Sequence, residues 1–257
     1  MSSPINLRDP GRPIRVGVVF MNSVTEHVDI APAGFFSCIS RKFLNRAPPN
    51  LVSDELKSQA LEFEHHWVTE DGKIRAHLTG NLQVMPTSGL PSLHTLMHIS
   101  NETHNWLNQN SFTNCPPLDI IVIEANAVGY QTSQAEKQFL CKAYSECAAL
   151  LCVCAGFMPV LAAGILEGKT VTGPIPMLPM MRRTAPGTNW IKRRWAQDGK
   201  IWTTGSLLNG MDMVAAFGRQ TWGGKDKNTL VDNMIQVGYW PERDVNYADV
   251  GRPTSRL

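Results

Sequence analysis

Apolar residues fall in short blocks along the chain, and the blocks switch between two periods. Residues 14–20 (IRVGVVF), 117–124 (PLDIIVIE) and 148–154 (AALLCVC) are near-continuous apolar runs, the pattern of strands buried on both faces of a parallel sheet. Residues 134–144 place Phe139, Leu140 and Ala143 on one helical face, and residues 211–220 and 228–236 read as closing helices. Residues 61–68 and 74–78 flank Glu70-Asp71-Gly72 and predict a hairpin. Residues 82–85 and 168–172 are short strands, and residues 189–204 read as two strands around Asp198-Gly199. Strands alternating with helices predict an α/β sandwich with a mostly parallel sheet.

The junction at Cys154-Ala155-Gly156 organises the chain. The apolar run stops there, and Val160, Leu161, Ile165 and Leu166 follow at helical spacing. A cysteine on a tight strand-to-helix turn has the geometry of a nucleophile elbow, and a helix N-terminus beside it predicts a thiolate. The plain alternative is a buried, inert thiol. Glu124 ends the preceding apolar strand, which predicts that it opens on the same crevice as Cys154. It reads either as an acid/base or, the favoured expectation, as a carboxylate turned outward to a Lys or Arg.

The 257 residues suffice for one large domain, and 43% hydrophobic content describes an ordinary globular chain. A net charge of +2 gives no electrostatic case for nucleic acid. No apolar run reaches the length of a membrane span, and residues 1–15 carry no signal-like segment, so a cytoplasmic location is expected. The six cysteines form neither a disulfide nor a zinc frame, so no metal or other cofactor is expected. Cys152 and Cys154, two apart, are expected to share a strand face. His94 and His98 are one helical turn apart within residues 88–117, which read as a lid or edge helix rather than a metal site. Residues 1–13 read as a loose arm, 14–237 as one domain and 238–257 as a polar tail.

Several stretches resemble the ThiJ/PfpI superfamily. VCAGFMPVLAAGILEGKTVT is similar to its V-C-T-G-x-x-x-L-A-x-A-G-L-L-x-G segment, and Val28–Pro32 (VDIAP) to its L-D-x-x-G-P. Residues 194–204 resemble R-W-V-x-D-G-x-I-x-T-S, and residues 205–212 resemble A-G-x-x-x-G-x-D. The resemblance spans about residues 14–220 and implies a flavodoxin-like three-layer fold, Cys154 as nucleophile and Asp29 as the acid facing it, where the alternative is a helix-end Asp. It further implies backbone donors near Ala155, Gly156, Ala125 and Asn126, a small-molecule substrate and a homodimer. The subgroup most alike hydrates isonitriles. Other Cys-dependent steps (glyoxal hydration, deglycation, a biosynthetic lyase) and a non-catalytic redox or ligand-binding role are the alternatives.

The chain departs from that pattern in three places. Glu124-Ala125-Asn126 stands where the family has P-G-G, Ala155 where it has Thr, and Pro174 where it often has the histidine that pairs with the cysteine. All seven histidines precede Cys154. Linked loss of that histidine and gain of Glu124 predicts Glu124 as a substitute acid/base.

Overall fold

A computed structural model describes residues 4–48, 51–86 and 110–250. Six strands form the central sheet: β1 (Ile14–Val19), β3 (Phe63–Val68), β6 (Ile120–Ile123), β7 (Ala149–Cys152), β10 (Trp195–Asp198) and β11 (Ile201–Thr204). Their spatial order is β10-β11-β7-β6-β1-β3, and every pairing is parallel except the β10–β11 hairpin at the edge. Three small strands, β2 (Val24–Thr25), β4 (Ala76–Leu78) and β5 (Gln83–Val84), form a separate sheet, and β8 (Thr170–Val171) pairs with β9 (Asn189–Trp190).

Alternation divides the apolar strands between two cores. Val16, Val18, Ile120, Val122 and Leu151 face one layer, where they meet Phe35 and Phe36 of α1 (Gly34–Cys38), Met213 and Phe217 of α7 (Asn209–Trp222), and Ile235 of α8 (Leu230–Val237). Ile121, Ile123, Leu150 and Cys152 face the other layer, where α4 (Gln134–Glu146), α5 (Phe157–Ala162) and α6 (Leu178–Thr184) supply Leu140, Val160 and Met181. Two short helices, α2 (Arg41–Leu44) and α3 (Asp54–Ser58), link α1 to β3. A strand with both faces covered must be apolar at every position, which is why 120–123 and 149–152 read as unbroken runs. Helix α4 starts at a capping box, Ser133 and Glu136, and α8 at Thr229 and Asp232. The architecture is the flavodoxin-like three-layer sandwich expected of the chain.

Several local expectations are corrected. Residues 61–78 are not a hairpin: β3 pairs in parallel with β1, and β4 pairs with β2 and β5. The six-residue β3 completes the large sheet while the three-residue β4 joins the small one, so turn chemistry at Asp71-Gly72 does not decide strand pairing. Residues 4–13 are tied down rather than loose. The Trp222 indole donates to the Leu7 carbonyl at 2.7 Å, and Arg12 forms a two-pronged pair with Asp119 at 2.7 and 2.8 Å.

The polar tail is likewise held as far as residue 250. Buried Arg194 pairs with Asp249 at 2.9 Å, Arg243 holds buried Asp212 at 2.5 Å, and Arg194 lies 4.8 Å from the Tyr247 ring centre. Buried charges require partners, and the tail supplies them. Among the described residues, no helix is long and apolar enough to cross a membrane. His94, His98 and His104 and most of the expected lid, residues 87–109, lie outside the described residues.

Candidate active site

The sheet places the strand ends that matter side by side. Ile123 is in register with Cys152, so Glu124 and Cys154 leave adjacent strands at the same edge. There the chain turns sharply: Cys154 has φ 53, left-handed and unfavourable for a residue with a side chain. Its N–H donates to Thr204 Oγ1 at 2.7 Å, fixing the turn to the end of β11. Gly156 comes so close to β6 that a Cβ there would stand 2.1 Å from the Ile123 carbonyl oxygen. The glycine is required by that approach. This geometry is a nucleophile elbow.

The turn also separates the two thiols expected to share a face. Cys152 points into the α4–α5–α6 layer, whereas Cys154 lies against the opposite one. Positive φ at Cys154 breaks the strand alternation that the spacing assumed.

The thiolate expectation is corrected as well. Burial, and then the Asp29 and Glu26 carboxylates, push the Cys154 thiol up to about 12, against the N–H groups of Ala155 and Leu207, which lower it. Helix α5 covers only Phe157–Ala162, and a single 3₁₀ turn, Cys154–Gly156, intervenes. So short a helix offers a weak dipole, too little to offset burial and the two carboxylates. The resting group is a thiol.

Asp29 lies in a 3₁₀ segment, His27–Ala33, and is fully buried. It does not cap that segment; Glu26 does, accepting from the Val28 N–H. Instead Asp29 Oδ2 accepts the Ala125 N–H at 3.1 Å, while Oδ1 is buried without a partner. Burial raises Asp29 to about 7, opposed by the Ala125 bond and reinforced by Glu26. The Asp29 carboxylate in turn raises the Cys154 thiol, so the two groups are coupled electrostatically.

Glu124 does not turn outward. It is 2% exposed, its Oε1 is buried without a partner, and burial with Asp29 nearby drives it well above the ordinary carboxylate range.

The expected backbone donors divide. Ala155 directs its N–H at the sulfur. The Gly156 N–H is committed to the Val153 carbonyl at 2.8 Å and that of Ala125 to Asp29, so neither is a free oxyanion donor. Asn126 bridges to Thr25, and its side-chain amide folds back to the Glu124 carbonyl at 3.2 Å.

Three participants were missed by sequence reasoning. Glu26 and Thr204 sit beside recognisable motifs, and their positions in VDIAP and I-x-T-T contexts were the available signal. Leu207 acts through its main chain, so its side chain carried none. The loop that presents it, between β11 and α7, is clamped by the tail: Asn209 Nδ2 donates to the Tyr247 hydroxyl at 2.8 Å, and a Cβ on Gly205 would lie 2.1 Å from that oxygen.

The histidine position is filled by Pro174, which begins a 3₁₀ turn, Ile175–Met177. Three of the four described histidines have other partners. His27 Nδ1 lies 2.7 Å from Thr79 Oγ1 and 3.2 Å from Glu26; His65 meets Ser37 at 3.3 Å, and His66 meets Asn110 at 3.3 Å. Among the described residues, no cluster of three His, Cys, Asp or Glu side chains could hold a metal ion.

The parallel α/β sandwich is similar in fold to solved structures of DJ-1 and ThiJ/PfpI proteins. Solved structures with that fold include Drosophila melanogaster DJ-1beta (11% identity, TM-score 0.58, 90% of this chain and 100% of that one). A THiJ/PfpI family protein from Pseudomonas syringae aligns with TM-score 0.62 at 11% identity, covering 93% of this chain and 80% of that one. An AraC family transcriptional regulator from Pseudomonas putida aligns with TM-score 0.56 at 14% identity, over 88% and 99% of the two chains. No protein-family profile and no curated protein sequence matches the chain. At such identities the likeness establishes the fold, and function has to be argued from the site.

Proposed function

We propose that the protein is a Cys154-dependent enzyme that hydrates an isonitrile to an N-substituted formamide. The observation that carries this reading is Asp29, a fully buried acid raised to about 7 within the electrostatic field of a thiol on a left-handed elbow. An acid titrating near neutrality can accept and return a proton in one cycle. The reaction asks for that. Cys154 S–H adds across the terminal carbon of R–N≡C: the S–C bond forms, Asp29 takes the thiol proton and a proton reaches the same carbon, giving R–N=CH–S–Cys. Water then adds to that carbon, its proton goes to nitrogen, and the C–S bond breaks to release R–NH–CHO and the free thiol.

A high thiol pKa suits this chemistry, because sulfur and proton are both consumed in the addition. It suits a redox sensor poorly, since oxidation-prone cysteines are low-pKa thiolates. The N–H groups of Ala155 and Leu207 supply oriented dipoles to charge developing at sulfur. Exposed Leu207 and Leu208 on the same loop favour an apolar substituent on the isonitrile.

The test is turnover of an alkyl or aryl isonitrile, with methylglyoxal and peroxide assayed in parallel. Formamide formation is expected, abolished by Cys154→Ser and lowered about 10²–10⁴-fold by Asp29→Asn. Absence of formamide, or full activity in Cys154→Ser, overturns the reading. Turnover of methylglyoxal alone moves the protein to glyoxal chemistry.

A further inference from the structure

We propose that Glu124 and Asp29 form a carboxylic acid–carboxylate dyad sharing one proton, with Glu124 its protonated member, and that this dyad replaces histidine as the proton store behind Cys154. Both side chains are buried, at 2% and 0% exposure, and each has one oxygen, Glu124 Oε1 and Asp29 Oδ1, that finds no donor. An unpaired buried carboxylate oxygen is costly, and two on neighbouring acids are satisfied together by a single proton. One peptide brings the two acids together: Asp29 Oδ2 accepts at 3.1 Å from the N–H of Ala125, the residue after Glu124.

Asp29 faces Glu26 and the Cys154 thiol; Glu124 faces Asp29 and, across the sheet, the Cys152 thiol. Among the described residues these neighbours are neutral or negative, and His27, 3.2 Å from Glu26, pairs with that outer carboxylate, so two ionised carboxylates at Asp29 and Glu124 would repel each other. Glu124 carries the proton because Asp29 accepts the Ala125 N–H at 3.1 Å, which favours its ionised form, whereas burial holds Glu124 well above the ordinary carboxylate range against only its own main-chain N–H. Gly156 seals the arrangement by packing against the Ile123–Glu124 peptide, where a Cβ would come within 3.0 Å of the Glu124 carbonyl carbon.

In turnover the proton count closes. The thiol proton passes to Asp29 as the S–C bond forms, a proton leaves Asp29 for the substrate carbon, and the dyad ends the step with the one proton it began with. This role in turnover rests on the hydratase reading; the dyad itself is measured without substrate.

Infrared spectroscopy at about pH 8, above the Asp29 titration, reads it directly. A protonated-carboxyl C=O band is expected in the wild type, retained in Asp29→Asn and absent from Glu124→Gln. Its absence from the wild type, or its loss in Asp29→Asn, overturns the assignment even if Glu124→Gln does not fold. Iodoacetamide labelling of Cys154 supplies the second measurement. Replacing a neutral Glu124 by neutral Gln should change the rate by less than about threefold, whereas removal of a charge beside the thiol would raise it about tenfold for each unit of thiol pKa. A tenfold rise refutes a protonated Glu124.

Discussion

Replacing Cys154 by glycine should give a more stable protein than replacing it by alanine. At ordinary positions the order is the reverse, since glycine loses more chain entropy on folding, by about 0.5–1 kcal/mol. Cys154 instead holds φ 53, where a Cβ crowds the backbone and costs about 1–2 kcal/mol. Alanine keeps that Cβ and glycine removes it, and both lose the same sulfur contacts, so the packing loss cancels in the comparison. The difference between strain relief and entropy is about 0.5–1 kcal/mol in favour of Cys154→Gly. For a chain of this size that is about 1–4 °C in melting temperature, so urea unfolding of both variants at one pH is the sharper assay. Alanine equal to or more stable than glycine would mean that the elbow is not strained in solution.

Stability should fall as pH rises from about 4 through 7. The folded state holds Asp29 at about 7, above its unfolded value of 3.8, so folding binds a proton across that window and its stabilisation is lost above it. The span corresponds to about 4 kcal/mol, Glu124 adds to it with the same sign, and Asp29→Asn should flatten the profile measured by denaturant titration. Cys154 should alkylate slowly at neutral pH and faster toward its titration at about 12, with Asp29→Asn speeding the reaction at pH 8 by removing a neighbouring negative charge. Asp249→Ala should cost about 2 kcal/mol in unfolding free energy. It leaves Arg194, 1% exposed, with Asp212 at 3.9 Å as its remaining acid, and the cost stays below that of a fully buried pair because Asp249 reaches water.

The parts of this molecule legible in the sequence are those where local chemistry and tertiary demand agree. Residues 120–123 and 149–152 are apolar throughout because both faces are covered, and the parallel neighbours followed from that alone. Asp198-Gly199 makes its hairpin because the turn and both strands belong to the same sheet. Where the two disagree, pattern reading failed. Asp71-Gly72 has turn chemistry, yet its flanking strands join different sheets. The spacing of Cys152 and Cys154 presumed alternation through a residue whose φ is positive. The polarity of residues 238–250 concealed that their charges neutralise Arg194 and Asp212 in the interior.

The electrostatics at Cys154 were the least legible because they are a sum over elements far apart in the chain. A helix start predicts a thiolate only while nothing else of either sign is near. Here the fold brings Glu26 and Asp29 to the same edge and Glu124 behind the acid, and the sequence has proline rather than histidine at position 174. Each change alone would be costly. Glu124 alone would leave an unpartnered carboxyl in a dry layer, and loss of the histidine alone would leave Asp29 without a second acid behind it. Together they are consistent: a surplus of acids in a dry site stabilises protons, and a site that retains protons suits the addition of S–H across a carbon centre better than attack by a free thiolate.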